Sequence, residues 1–371
     1  MCDNGLEQFV NFRCSVAAYF HKCGYDVSVI VPATTCTSIY IQKLPDYINL
    51  VQVKMNRNGT NPFSDLNYYK SLSKLFQKEH PDIVFTYTIK PNIYGTIAAK
   101  KIGIPVVSMV AGLGYCFNGN SILHKFGRWL YKYGLSKADR VIVLNESNFE
   151  VLRDNNFVEP KNLILFEGGE GVDMKQYPLV YDEYKSIRFL MVARVLYDKG
   201  YSEYVEAAKI VQKKYPGIQF DLIGSLDEES PMGVPEAIVT ADVASGAINF
   251  KGHTDNVPHY VGKEGVVVVL ISSYLEGLNR SLMEACAMGR ICITSNISGC
   301  KEIVEDGVNG FLVEPKSSRQ LADAMIRIIE CPIEQRQEMA KNSFNKAKRI
   351  FDVKYTYDHY KMIIEQLVKN C

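Results

Sequence analysis

Short runs of apolar residues alternate with helix-length amphipathic stretches along almost the whole chain. The runs at 26–31, 83–86, 106–110, 140–143 and 163–166 predict strands, and after a gap the pattern resumes at 188–192, 219–223, 246–250, 266–271, 291–294 and 310–313. Between them, stretches such as 12–23, 66–79, 94–101, 202–214, 281–288 and 320–329 carry helical spacing. Strands that are apolar on both faces and separated by helices specify parallel sheets covered on each side. The gap at 177–185 is polar and holds Pro178 and Asp182. It therefore predicts two doubly wound α/β domains, an amino-terminal one over 1–178 and a carboxyl-terminal one over 179–350. The last helical segment, within 351–371, is expected to pack back on the first domain. Doubly wound domains bury ligands outside the carboxyl ends of their strands. A cleft with the two domains facing one another is the default site.

The opening is unusual for such a fold. A doubly wound domain begins with an apolar strand, yet this chain starts Met1-Cys2-Asp3-Asn4-Gly5 and reaches helical spacing at once. The expectation is that the first strand is absent, or that the true start lies upstream.

Length and composition narrow the function. A chain of 371 residues exceeds what one hydrophobic core usually spans, which supports two domains. Apolar residues make up 47% and the formal net charge is +1, the balance of a folded globular protein and not of a nucleic-acid binder. The ten cysteines form no C-x-x-C pair, so a zinc or thioredoxin-like centre is not indicated; scattered thiols suit core positions in a reducing compartment. No stretch reaches the roughly 18 apolar residues of a membrane span, and no signal pattern opens the chain. The reading is a cytosolic protein.

Two segments carry chemistry. The first, Tyr274-Leu-Glu-Gly-Leu-Asn-Arg-Ser-Leu-Met-Glu284, follows the buried run at 266–271 and reads as strand, loop, helix. Backbone N–H groups near Gly277, Leu278 and Asn279 would lie at a helix N-terminus, where an anion is favoured. Glu276 precedes that point and Glu284 follows it, about 12 Å apart along a helix axis. Taken alone, two acidic residues at this spacing favour an ordinary capped helix. The second segment, Val192-Ala-Arg-Val-Leu-Tyr-Asp-Lys-Gly200, ends the first strand of the second domain. Arg194 and Lys199 flank a turn, where guanidinium and ammonium can converge on one phosphate pair or simply remain solvated. No Asp-x-Asp pair exists to hold a metal–diphosphate complex. No cofactor or metal is expected, with cations taking the metal's part.

These residues, with Asp306-Gly-Val-Asn-Gly-Phe-Leu-Val313, resemble the family-4 retaining glycosyltransferases of GT-B fold. Asn11-Phe-Arg13, Gly112-Leu-Gly-Tyr115, Gly171-Val-Asp173 and Gly299-Cys300 are similar to the bacterial subgroup that builds capsule, O-antigen or lipid-linked oligosaccharide. The resemblance covers most of the chain and rests on the ordered set, since E-x7-E alone is weak. It implies that Arg194 and Lys199 hold the donor diphosphate, and that Glu276 contacts the transferred sugar. The amides of Gly277, Leu278 and Asn279 would meet the phosphates, and Glu284 the ribose. His253 stands where the family contacts the base, a place an ordinary loop histidine fills equally well. Gly112, Gly114 and Tyr115 would line the acceptor side of the cleft. The implied donor is a nucleotide sugar, commonly a UDP-sugar, and the implied acceptor a glycan or polyprenyl-diphosphate-linked glycan. The chain departs from the pattern at Asn279, where proline is common, and at Val267 and Ser272, which replace Asp and Pro.

One further segment stands out. Residues 122–138 interleave Lys125, Arg128, Lys132 and Lys137 with Leu123, Phe126, Trp129, Leu130, Tyr131, Tyr133 and Leu135. Basic residues beside aromatics on a helix suit an anionic membrane surface, here the inner face of the cell membrane; a helix packing its apolar face on the sheet fits the sequence equally well. Two other functions share the fold: a nucleotide-sugar 2-epimerase, which needs further acid/base residues that are not legible here, and a non-catalytic glycosyltransferase-like subunit. A dinucleotide-dependent dehydrogenase lacks its G-x-G-x-x-G.

Overall fold

The computed structural model describes residues 1–57, 61–114, 117, 119, 121–273 and 277–368, and these fall into two compact units. Unit 1 comprises Met1–Glu170 and Lys354–Cys371; unit 2 comprises Gly171–Val353. The division falls earlier than the sequence pattern placed it, because the polar stretch at 177–185 is built into unit 2. Val180 donates its amide to the Met288 carbonyl (3.2 Å), the Tyr184 hydroxyl reaches the Gly289 carbonyl (3.4 Å), and Asp182 pairs with Arg290. The second crossing, at Val353/Lys354, lies beside the first, where Val172 and Asp352 form a parallel bridge within unit 2.

In unit 1 the strands are β1 (Val27–Pro32), β2 (Ile48–Val53), β3 (Val84–Tyr87), β4 (Val106–Val110), β5 (Arg140–Val143) and β6 (Leu163–Leu165). They form two parallel groups, β1-β2 and β3-β4-β5-β6. Residues 1–3 stand between the groups. Cys2 bridges in parallel to Ile30 of β1 and Thr86 of β3, with Cys2 N–H on the Phe85 carbonyl (2.7 Å) and Asp3 N–H on the Ile30 carbonyl (3.0 Å). The position expected to lack a strand is therefore occupied, by three residues too short to show apolar periodicity. Below them, towards the amino ends of β1 and β3, a cavity of about 530 Å³ is lined by Met1, Val27, Val51, Phe76, Val84 and Phe85 among others. The pattern also missed β2, whose alternation is blurred because most of its side chains are half-buried or exposed.

Helices α1 (Cys14–Lys22), α2 (Pro62–Glu79) and α3 (Ile122–Leu135) cover this unit. Asn61 caps α2 by accepting the Phe63 and Ser64 amides, with Pro62 in the first turn where its missing N–H costs nothing. The interior of the unit includes an ion triad: Arg13, 3% exposed, meets Asp3 at 3.0 Å and Glu170 at 3.1 Å.

Unit 2 holds one six-stranded sheet in the order β12-β11-β10-β7-β8-β9, parallel in every pair. Its strands are β7 (Arg188–Val192), β8 (Gln219–Ile223), β9 (Asn249–Phe250), β10 (Val266–Leu270), β11 (Ile291–Ser295) and β12 (Gly310–Val313). β10 reads Val-Val-Val-Val-Leu and is buried throughout, as a central strand covered on both faces must be. Helices α4 (Tyr201–Lys214) and α6 (Ser318–Glu330) pack side by side, and α5 (Arg280–Ala287) joins β10 to β11. The final helix, α7 (Val353–Val368), returns the chain to unit 1. No helix among the described residues is long and apolar enough to cross a membrane.

Candidate active site

The strand order of unit 2 reverses between β7 and β10, since β8 and β9 extend the sheet to one side and β11 and β12 to the other. Neighbouring strands lie about 4.8 Å apart, so the loops leaving their carboxyl ends share one crevice. Arg194 and Lys199 leave β7 at that point, and the loop leading into α5 leaves β10. Ser273 N–H donates to the Asp198 carbonyl (2.8 Å), tying the two loops directly. Gly200 fixes the approach: its φ is +87°, and a Cβ there would lie 2.4 Å from the Ile271 carbonyl oxygen. Only glycine suits both conditions. The sequence-predicted phosphate cations and the helix entrance thus lie on adjacent strands.

Arg194 is exposed and donates to Asp227 Oδ2 at 2.8 Å, a partner from the loop after β8 that no sequence pattern marked. Lys199 is half-buried in a short 3₁₀ turn, Tyr197–Lys199. Ser272, in the place of a family proline, is fully buried, with its hydroxyl 3.4 Å from the Asp198 carbonyl oxygen. Asn279 is the N-cap of α5: its side chain accepts the Leu282 amide (3.2 Å), worth about 1 kcal/mol over alanine. This capping gives Asn279 a local reason to stand where proline is common. Its own amide, one of those read as phosphate donors, donates to the Gly299 carbonyl (2.9 Å). Gly277 and Leu278 precede it at the helix entrance. Glu276 lies outside the described residues.

Glu284 sits in the second turn of α5, 7% exposed, and is bonded by Arg280 Nε at 2.7 Å. Burial pushes its carboxyl above the ordinary range, while Arg280 and the Tyr177 hydroxyl oppose that shift. Burial and the nearby Glu284 carboxylate raise the Tyr177 hydroxyl as well. The sequence reading passed over Arg280, although its i,i+4 spacing to Glu284 is a signal that could have found it; the Tyr177 contact has no local signal. His253 follows β9 and is largely exposed, 3.5 Å from Asp255. In unit 1, Gly112 and Gly114 follow β4; Gly114 has φ +72°, and a Cβ would meet Ile89 Cδ1 at 2.4 Å. Tyr115 lies outside the described residues. Among the described residues no cluster of His, Cys, Asp or Glu has the arrangement of a metal centre.

Known proteins share this organisation. Residues 181–346 match the family model of glycosyl transferases group 1, and residues 6–145 match that of the glycosyl transferase 4-like group. The N,N'-diacetylbacillosaminyl-diphospho-undecaprenol alpha-1,3-N-acetylgalactosaminyltransferase of Campylobacter jejuni is 26% identical, over 97% of this chain and 96% of that enzyme. The UDP-Gal:alpha-D-GlcNAc-diphosphoundecaprenol alpha-1,3-galactosyltransferase of Escherichia coli is 26% identical over 82% and 81%. Among solved structures, a glycosyltransferase of Rickettsia africae superposes with a TM-score of 0.78 at 19% identity, covering 98% of this chain and 96% of that one. Anabaena HepE in complex with UDP gives 0.78 at 17%, with 98% of each chain covered. The two family models together span both units, and the chain belongs to the family-4 glycosyltransferases of GT-B fold.

Proposed function

We propose that this glycosyltransferase moves a sugar from a UDP-sugar, with retention of anomeric configuration, onto a glycan or polyprenyl-diphosphate-linked glycan in surface polysaccharide synthesis. The observation that carries this reading is the meeting of Arg194 and Lys199 with the entrance of α5 at the β7/β10 switch point. Both curated relatives described above act, by name, on diphospho-undecaprenol-linked glycans, and the E. coli enzyme uses UDP-Gal. In the proposed reaction the acceptor oxygen bonds to the anomeric carbon as the bond to the β-phosphate oxygen breaks. The acceptor proton passes to that leaving oxygen, giving UDP and the glycoside. No carboxylate is assigned as nucleophile or base; positioning and charge stabilisation of the diphosphate supply the catalysis. Arg194 and Lys199 neutralise the diphosphate, Gly277 and Leu278 present amides to it, Glu276 holds the sugar hydroxyls, Glu284 the ribose and His253 the base. Gly112, Gly114 and Tyr115 serve the acceptor. A donor panel with mass detection of transfer and hydrolysis products tests the reading; turnover of no UDP-sugar overturns the donor assignment.

The cations are proposed to replace a metal. Full turnover is expected to survive excess EDTA, and a loss restored by added Mg²⁺ or Mn²⁺ would contradict it.

The acceptor is proposed to be met at an anionic membrane surface through α3. Ile122 (87% exposed), Phe126 (55%), Trp129 (58%) and Tyr133 (45%) fall on one stripe about 60° wide at 100° per residue. Their rings stack along it, Phe126 on Trp129 at 5.8 Å and Trp129 on Tyr133 at 6.1 Å. Tyr131 and Leu135 occupy the opposite face and are buried. The helix thus packs one side on the sheet and leaves another exposed, with features of both sequence readings. Residues 122–138 contain no Asp or Glu, and each Lys or Arg near an anionic surface contributes about 1 kcal/mol. Vesicles of equal parts phosphatidylglycerol and phosphatidylcholine at low salt are expected to co-sediment the protein and blue-shift the emission of Trp129, the one tryptophan in the sequence. No sedimentation with these vesicles removes the membrane contact.

A further inference from the structure

Arg280 is placed against the usual preferences of a helix. It is the first residue of α5, where the macrodipole favours an anion, and it lies amino-terminal to Glu284, the weaker order for an i,i+4 pair. The pair is nevertheless tight and largely shielded: the side chains are 25% and 9% exposed, with Nε 2.7 Å from Oε1. A local rule broken at the mouth of a binding crevice points to the ligand and away from the helix.

We propose that Arg280 is a positioning residue that holds the Glu284 carboxylate for a ribose diol, and so gives the enzyme its preference for ribonucleotide over deoxyribonucleotide donors. This rests on the reading of Glu284 as the ribose ligand. A carboxylate offers about four acceptor positions. Arg280 occupies one on Oε1 and the Tyr177 hydroxyl provides a second contact, leaving acceptor capacity for two vicinal hydroxyls. Without the guanidinium, a carboxyl at this depth is driven towards its neutral form, because burial penalises the charge. The neutral group loses an acceptor and turns freely about its last torsion. Tyr177, packed on the core of unit 2, lies close to both Glu284 and Arg280.

The test compares UDP with 2′-deoxy-UDP by calorimetry on the full chain. The parent protein is expected to bind UDP roughly 10- to 100-fold more tightly, the span of one hydrogen bond to a charged group. Arg280→Gln is expected to remove that preference by weakening UDP, with 2′-deoxy-UDP changed less than about threefold. Arg280→Lys should restore part of it, and Tyr177→Phe should lower it less than Arg280→Gln does. Equal weakening of both nucleotides by Arg280→Gln at an unchanged melting temperature overturns the proposal, since Arg280 would then serve the phosphates. Loss of both together with a lowered melting temperature overturns it in favour of a structural role. If the parent does not discriminate between the nucleotides, the ribose reading of Glu284 fails first, whatever the variants do.

Discussion

Lys199→Ala is expected to lower turnover by two to three orders of magnitude, about 3–4 kcal/mol in the barrier, while the melting temperature stays within a degree or two of the parent. The size follows from where the charge sits. Departure of a nucleoside diphosphate places new negative charge on the leaving oxygen, and a fixed cation is worth most where charge develops. Backbone features hold the Lys199 turn: the left-handed Gly200 behind it, and the Asp198 carbonyl bonded to Ser273 in front. Those backbone features remain when the side chain is truncated and the ammonium is lost. Lys199→Arg is expected to recover only part of the rate, since a planar fork replaces a compact point charge. Arg194→Ala should fall in the same class with a smaller loss, because that side chain is more exposed and its charge is shared with Asp227. Glu276→Ala is expected to abolish transfer by loss of the sugar contact. Near-parental kcat in a folded Lys199→Ala or Glu276→Ala protein would withdraw the assignment of that residue.

How far the sequence reveals this molecule depends on how local the signal is. β10 announces itself because a strand buried on both faces must be an unbroken apolar run, and its residues are five apolar ones. β2 escapes because its side chains are mostly half-buried or exposed, so its six residues lack that signature. Residues 1–3 escape for a different reason. Their strand character lies wholly in backbone pairing to β1 and β3, which are distant in sequence. The unit boundary was misplaced because polarity at 177–185 resembles a linker, whereas Asp182 is polar to satisfy a buried guanidinium. In the site, Arg194, Lys199 and Glu284 were legible as a motif; Arg280 was passed over, although its i,i+4 spacing to Glu284 could have marked it. Asp227 and Tyr177 were not, since each meets its partner only through the fold. The α3 helix shows the same limit: spacing reveals its amphipathicity, and only packing reveals which aromatics remain outside.

That buried guanidinium sets the largest expected stability effect. Arg290 is fully buried and Asp182 lies with it, side chains 0% and 1% exposed. The Asp182 carboxylate also accepts the Gly265 amide (2.7 Å) on Oδ2 and the Tyr184 amide (2.8 Å) on Oδ1, so three donors from three segments of unit 2 converge on it. Asp182→Ala leaves an uncompensated buried charge and two unpaired amides. The expected cost is about 3–5 kcal/mol, lowering the melting temperature of the unit by roughly 10 °C. Asp182→Asn keeps an acceptor for the amides but not the charge, and should fall in between. Arg290 Nε and Nη2 find no hydrogen-bond partner among the described residues, so the pair is incompletely satisfied. The combined change Asp182→Leu with Arg290→Met removes both charges and should cost much less than Asp182→Ala, since a buried ion pair gains little over apolar packing of similar volume. Thermal and urea denaturation of the four proteins decide the matter. A melting temperature of Asp182→Ala within about 2 °C of the parent would show that the pair does not hold the 177–185 segment in unit 2.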